Sequence, residues 1–288
     1  SEKLKVFLDK SPHETGRSFA KFATRALVSL DDFMQASFST GHINLSSDLD
    51  GVYRHYPLIV RVDSGYFPSL ALACFLDSVR VHFHDIIINW GQSLIIPASD
   101  KNDLNEDVQI PIDHAGRVFI PFFKFSTDQG HALERYDGSD FLREYSDELK
   151  RGELANKYIE GRFVFIADVS QGIPDKGKTP IHEDEQPLVL AHAAVLNGLL
   201  NNSFHEKYSS DGLSFIVIVA GVFLGLVACH RKTVFLYGSA VILLAFFWEF
   251  TFYQFSEFKL FPLTSFIGII LFIFFGLLFG ILFITNRD

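Results

Sequence analysis

The side chains able to do chemistry gather in one stretch, VSQGIPDKGKTPIHEDEQ at positions 169–186, which leads into an apolar helical run from Pro187. Ser170, Gly172, Asp175, Lys176, Lys178 and Thr179 can meet a small ligand there, because backbone N–H groups and a helix N-terminus assist an anion. The loop ends in Lys178-Thr179 as a phosphate loop does. The glycine spacing and the direct entry into a helix that such a loop needs are missing. His192 follows inside the helix. One imidazole without placed partners makes no site, so its first reading is a core or capping partner and its second a ligand contact.

Two other constellations compete. Asp48, Asp50 and Gly51 match part of a calcium loop, but the remaining acidic ligands and the late glutamate are absent, which leaves an ordinary polar turn. His82, His84 and Asp85 alternate, so both imidazoles would share one face of a strand. A zinc site needs more ligands than that pair, and no third is evident. No Ser-His-Asp order, metal set or phosphate loop emerges, so the expectation is a non-enzymatic chain with no cofactor and no metal.

The elements that must position these residues follow from periodicity. RFVFIAD at 162–168 is a near-continuous apolar run, the mark of a strand buried on both faces. In open α/β sheets the crevice beyond such a strand is the usual ligand site. Upstream, Ser11-Pro12-His13-Glu14 reads as a helix start with Phe19, Phe22, Ala23 and Ala26 on one face. Asp31 opens a short helix, residues 52–62 form a long strand with Pro57 at an edge or bulge, and Pro68-Ser69 begin a helix through Val79. Two hairpins are expected. Residues 87–90 pair with 93–97, and 108–112 pair with 117–120 around the turn Asp113-His114-Ala115-Gly116. Further helices are expected from Ser139 and over 153–158.

The last quarter of the chain differs in kind. Three apolar runs, at about 213–229, 233–255 and 260–285, are long enough as helices to cross a hydrocarbon core about 30 Å thick. They lack the polar residue every third or fourth position that a soluble bundle shows. His230-Arg231-Lys232 and Arg287 fall at the ends that the positive-inside rule holds in the cytoplasm. The first helix then runs inward, the second returns and the third runs inward, with the chain before residue 212 outside. Trp248, Glu249 and Tyr253 fall near the outer interface, and Glu249 reads as a headgroup-level carboxylate, with a buried proton relay as the other reading. Gly221-x-x-x-Gly225 and Gly276-x-x-x-Gly280, with Gly268 two turns earlier, offer small faces for helix packing.

Composition sets the remaining bounds. A formal charge of −9 over 288 residues argues against a nucleic-acid partner. Cys74 and Cys229 would lie on opposite sides of the bilayer, so both are expected as free thiols. Ser1 is not a start methionine and no signal peptide is visible. An export signal is therefore expected to have been cleaved, to lie outside this sequence, or to be carried on another polypeptide.

The order of motifs resembles one known family. GHINLSSDLDGVYRHYPLIV, YFPSLALAC, IPIDHAGRVFIPF, RFVFIADVSQGIPDKGKTPI and HAAVLNGLL succeed one another. Together they are similar to the type-2 CHASE domain, an extracytoplasmic sensor found on bacterial cyclases and kinases. Gly41, His42, Asp48, Asp50, Gly51, Val52 and Arg54 match the family's first strand and turn. Pro68 to Ala71, Pro111, Asp113, Gly116, Pro180, His192 and Ala193 match the rest. The resemblance covers about residues 40–285. It departs at Ile166-Ala167-Asp168, where the family reads Ile-Gly, and the family's first half and cytoplasmic effector are not visible.

The fold expected is a mixed α/β extracytoplasmic domain with hairpins and flanking helices, over 41–211, followed by a three-helix transmembrane bundle over 212–288. Residues 1–40 have no assigned role. The resemblance implies a sensor in the bacterial inner membrane, domain outside and C-terminus inside, relaying ligand or partner binding to other membrane proteins. The alternative is a structural or accessory subunit of an envelope complex. The expected partners are the lipid bilayer, other membrane proteins, a second copy of the chain, and a chain supplying neighbours to the 162–168 strand. Residues 6–8 are the competing source of such a neighbour.

Overall fold

The computed structural model describes residues 11–23, 29–62, 65–122, 161–168, 175–207, 210–228, 233–256, 259–260 and 263–285. The chain divides into two compact units, 1–203 and 204–288.

The first unit is built on short strands whose side chains alternate between interior and surface, the period-two pattern of half-buried sheets. Strands β6 (Ile87–Asn89) and β7 (Ser93–Ile96) form the expected hairpin, with Ile88, Leu94 and Ile96 fully buried. β8 (Val108–Pro111) pairs antiparallel with β7 and buries Ile110. The second expected hairpin does not form. β9 (Arg117–Phe119) leaves β8 at the Asp113–Gly116 turn and pairs instead with β3 (His55–Pro57). The Asp113 side chain holds that turn by accepting from the backbone N–H groups of Ala115 (2.8 Å) and Arg117 (2.9 Å).

The long strand expected over 52–62 is present but broken. Pro57 ends β3, and after Leu58 the chain resumes as β4 (Ile59–Val62), which pairs antiparallel with β5 (Gly65–Pro68). Proline has no N–H for the ladder, so a break at that point is the ordinary outcome. Leu58 instead donates to the Gly116 carbonyl (2.9 Å).

The N-terminal segment is not helical. His13–Thr15 is strand β1, parallel to β6, and Phe22–Ala23 is β2, parallel to β4. The Pro12 cap motif is overridden because Glu14 is drawn into the sheet: its Oε2 accepts from Tyr66 Oη (2.8 Å) and Trp90 Nε1 (2.7 Å). Ala26 lies outside the described residues.

Among the described residues, three α-helices belong to this unit. α1 (Asp31–Ala36) is short and exposed. α2 (Leu70–Ser78) is capped as expected by Ser69, whose Oγ accepts from Leu72 N–H (3.3 Å). α3 (Val189–Asn201) packs against α2 and buries nearly every residue from Leu190 to Leu196, as a helix apolar on all sides must. Asn202, in the left-handed conformation with φ 47°, closes it.

RFVFIAD is a correction. Residues 162–168 form no strand, and Phe163, Val164 and Ile166 are exposed. An apolar run becomes a buried strand only where ladder partners exist, and among the described residues none lies beside it. The helices expected from Ser139 and over 153–158 lie outside the described residues.

The second unit is an antiparallel succession of three helices, α4 (Ser210–Ala228), α5 (Thr233–Ser256) and α6 (Leu263–Thr285). All three pack mutually around Ala220, Leu224, Phe247, Phe266, Ile270 and Phe274. β12 (Glu206–Lys207) runs parallel to β13 (Lys259–Leu260), tying the chain that enters α4 to the α5–α6 connection. The helices lie where three apolar runs placed them. Among the described residues, no helix is long and apolar enough to cross a membrane.

Candidate functional site

The most deeply buried polar cluster of the first unit joins three elements. β3 supplies Tyr56, which is fully buried, and α3 supplies His192, which is 5% exposed. Tyr56 Oη and His192 Nδ1 lie 2.6 Å apart, with the two rings edge to face. Ala71 N–H in the first turn of α2 also donates to that phenolic oxygen (3.4 Å). Burial raises the Tyr56 phenol well above its ordinary value, and burial lowers His192 to about 4. The imidazole is therefore neutral in the folded chain at ordinary pH.

A second imidazole adjoins the first. His42 is 9% exposed, and neither of its ring nitrogens has a partner. Burial, and then the neighbouring His192, lower its pKa to about 3. Backbone bonds hold it in place: His42 N–H donates to Pro68 O, and Leu70 N–H donates to His42 O, each at 2.9 Å. Gly41 makes that approach possible, since a Cβ there would come within 2.5 Å of the Leu70 backbone. Cys74, one turn further along α2, is a free thiol with its pKa raised by burial and by Asp77. Cys229 lies outside the described residues.

Beside the strand that carries Tyr56, the turn at 48–54 is held by its own charges. Arg54 donates to both carboxylate oxygens of Asp50 (2.9 and 2.8 Å) and to Asp48 (3.3 Å), while His55 Nδ1 meets the other Asp48 oxygen at 2.9 Å. The Arg54 hydrogen bonds, with Val52 N–H, lower Asp50 to about 2. Asp48, Asp50 and Arg54, with Ser47, Leu49 and Arg117, line a shallow depression of about 620 Å³. The carboxylates that suggested calcium are thus occupied by the arginine that follows them. Among the described residues no group of three or more His, Cys, Asp or Glu side chains is placed to hold a metal. His82 and His84 stack, but on a single 3-10 turn instead of a strand, and only Asp85 joins them.

The loop singled out in the sequence is split by this geometry. Ser170 and Gly172 lie outside the described residues. Asp175 and Lys178 are exposed, and Lys176 begins β10 (Lys176–Gly177), paired with β11 (Gln186–Pro187). Lys178 bridges to Val52, and its carbonyl accepts from Tyr53 N–H (2.9 Å), so this segment leans on the Asp48–Arg54 turn. Thr179 is buried with Oγ1 3.0 Å from His182 Nδ1. His192 is engaged elsewhere, with Tyr56. Sequence reasoning missed Tyr56 as the partner of His192 and His42 as its neighbour; the glycine before His42, which marks a close backbone approach, was one available signal.

A family model described as the CHASE2 domain matches residues 4–227. The chain belongs to the CHASE2 family. No curated protein and no solved structure matches it. The match starts far ahead of residue 40, in agreement with the place of β1 and β2 in the sheets, and it ends at 227, so it corrects both ends of the extent of about 40–285 suggested by the motifs. CHASE2 is an extracytoplasmic sensory domain, which supports a sensor role for the first unit. In this CHASE2 chain the glycine-histidine pair, the D-x-D-G-V-x-R turn and the α3 histidine each have a structural reason: close docking, internal ion pairing and the Tyr56 bond.

Proposed function

We propose that this CHASE2 chain is a membrane-anchored sensor that acts by binding and relay, its first unit outside the cytoplasm and its three C-terminal helices in the lipid bilayer. The observation that carries the reading is the outward surface of the helical unit. Phe215 and Ile218 on α4, Val241 and Ile242 on α5, and Phe272 and Phe279 on α6 are all more than 60% exposed. A bundle with large apolar side chains inside and outside is suited to lipid and is an aggregation hazard in water. The placement of His230-Arg231-Lys232 between the first two helices supports an orientation with that turn in the cytoplasm. Parallel pairing of β12 with β13 gives the domain-proximal chain a direct grip on two helix ends, which suits a mechanical relay to other membrane proteins.

Membrane fractionation of the full chain tests this, with single cysteines placed at Ser37 and at Arg231 in a Cys74→Ser, Cys229→Ser background. The expected result is retention through alkaline extraction, labelling of Ser37→Cys by an impermeant thiol reagent in spheroplasts, and protection of Arg231→Cys until lysis. Release by alkali, or the reverse labelling, overturns it.

One observation favours the second reading, an accessory subunit of an envelope complex: Ile166 is 96% exposed within the Phe163–Ile166 run. Such a run wants a covering surface.

A further inference from the structure

From Ser29 to Asp50 the chain of the first unit is exposed or half-buried at every position but one, His42. Leu30, Phe33, Phe38, Ile43 and Leu49 are all exposed, and α1 within this stretch buries nothing. Among the described residues, hydrogen bonds tie 29–46 to the rest of the unit at two points. The His42 backbone donates to Pro68 O and accepts from Leu70 N–H, each at 2.9 Å, and Ser39 Oγ donates to the Asp77 carboxylate at the surface of α2. The stretch is thus a strap whose one buried anchor is His42.

That anchor is an imidazole, where an apolar side chain would hold equally at every pH. The ring is 9% exposed and neither nitrogen has a partner. A neutral ring tolerates such a site, whereas an imidazolium brings a charge and two N–H donors with nothing to receive them. Undocking the strap returns the ring to water, and it does so without opening the core, because no other residue of the strap is buried.

The groups around the ring do not offset a proton. His192 of α3 adjoins it and opposes a second positive charge. Tyr56 of β3 and Cys74 of α2 both have their pKa raised by burial and stay neutral. His55, next to Tyr56 and so on the other face of β3, is bonded to Asp48, and Tyr66 of β5 is bonded to Glu14. Asp77 is held by Ser39 of the strap itself, and Asp31 and Asp32 of α1 are exposed. Among the described residues no carboxylate bears on either imidazole. His192 differs from His42 in its place. It lies inside α3 among buried residues with Nδ1 2.6 Å from Tyr56 Oη, so a proton there would act on the packed body as a whole.

We propose that residues 29–46 are an acid-released latch: a proton taken up by His42 undocks the strap from the first turn of α2 while β3, α2 and α3 stay packed. The proposal names a stimulus that the sensor reading leaves open. It concerns the first unit alone and stands wherever the helical unit lies. Docked, the ring titrates at about 3, against an ordinary value of 6.5. Between those values only the undocked ring is charged, so docking weakens as pH falls, by about fiftyfold from pH 6.5 to 4.5.

Amide hydrogen exchange on the full chain in detergent solution tests this at pH 6.5 and 4.5, each rate divided by the free-peptide rate at the same pH. The His42 and Leu70 amides report the docked strap, and the Leu196 and Leu199 amides report α3. In the wild type the first pair is expected to lose protection at least tenfold at pH 4.5 while the second changes less than twofold. His42→Leu and His42→Gln, which cannot titrate, are expected to keep the Leu70 protection within twofold across the same interval. Unchanged protection in the wild type overturns the proposal, as does equal loss in strap and α3, which would be general unfolding. Acid release persisting in both variants also overturns it, in favour of another titrating group. Unfolding of both variants at pH 6.5 overturns it too, since His42 would then be part of the body and not a detachable anchor.

Discussion

Tyr56 Oη and His192 Nδ1 lie 2.6 Å apart across 136 positions of sequence, and this bond joins the broken central strand to the buried helix α3. Tyr56→Phe removes the phenol and leaves a buried imidazole nitrogen without its partner. Net loss of a hydrogen bond together with one unsatisfied buried group costs about 1–3 kcal/mol. Chemical denaturation of the first unit should show a lower midpoint with unchanged slope. A variant as stable as wild type would mean that the bond contributes nothing.

The two buried imidazoles make stability depend on acid. Folding lowers His42 to about 3 and His192 to about 4, each from an ordinary value of 6.5. Between those values and 6.5 the unfolded chain binds more protons than the folded one, so stability rises with pH across that window. The contribution is complete above pH 6.5 and is lost as pH falls through 4 and then 3. Denaturation midpoints measured from pH 7 down to pH 4 should decline. His42→Leu should flatten part of that slope and, since both His42 ring nitrogens lack partners, should not lower stability at pH 7. An unaltered slope would remove His42 from the account.

Gly41 tolerates no side chain. A Cβ would lie 2.5 Å from Leu70 Cα and N and 2.6 Å from Ser69 C, all backbone atoms that cannot rotate aside. Gly41→Ala should therefore force the His42 segment off the start of α2, at a cost of about 1–3 kcal/mol. Thermal unfolding of the variant, with Gly51→Ala as a comparison at a site open in space but with φ +81°, separates crowding from backbone strain.

Calcium should not alter the first unit. Asp48 and Asp50 already accept from Arg54 and His55, so binding an ion would first break those bonds. Equal melting temperatures in millimolar calcium and in chelator are expected. A rise with calcium would show that the turn rearranges into a metal site.

The glycines of the helical unit are not equivalent. A Cβ on Gly221 would meet Ile273 Cδ1 at 3.6 Å, whereas one on Gly225 or Gly276 meets nothing within 4 Å. Gly221→Leu should overpack the α4–α6 contact by about 1–3 kcal/mol, and Gly225→Leu should leave packing within one chain unchanged. Resistance to unfolding in detergent ranks the two, and equal effects would contradict this contact. Gly280 was expected to share this role; its surroundings lie outside the described residues.

Local periodicity made much of the architecture legible from the residues alone. Ser69 capping α2, the 87–96 hairpin, α3 and the three C-terminal helices each depend on neighbours a few positions apart, where side-chain pattern and capping chemistry decide the outcome. The order of motifs also carried the family. What required the tertiary structure was every choice between long-range partners. Ser11–Glu14 reads as a helix start until Glu14 finds Tyr66 and Trp90, and Phe163–Ile166 reads as a buried strand, yet among the described residues no ladder stands beside it. His192 is a lone imidazole in sequence because Tyr56 and His42 reach it only through folding. Non-local hydrogen bonds have no period to betray them, so only the folded chain decides which distant groups satisfy one another.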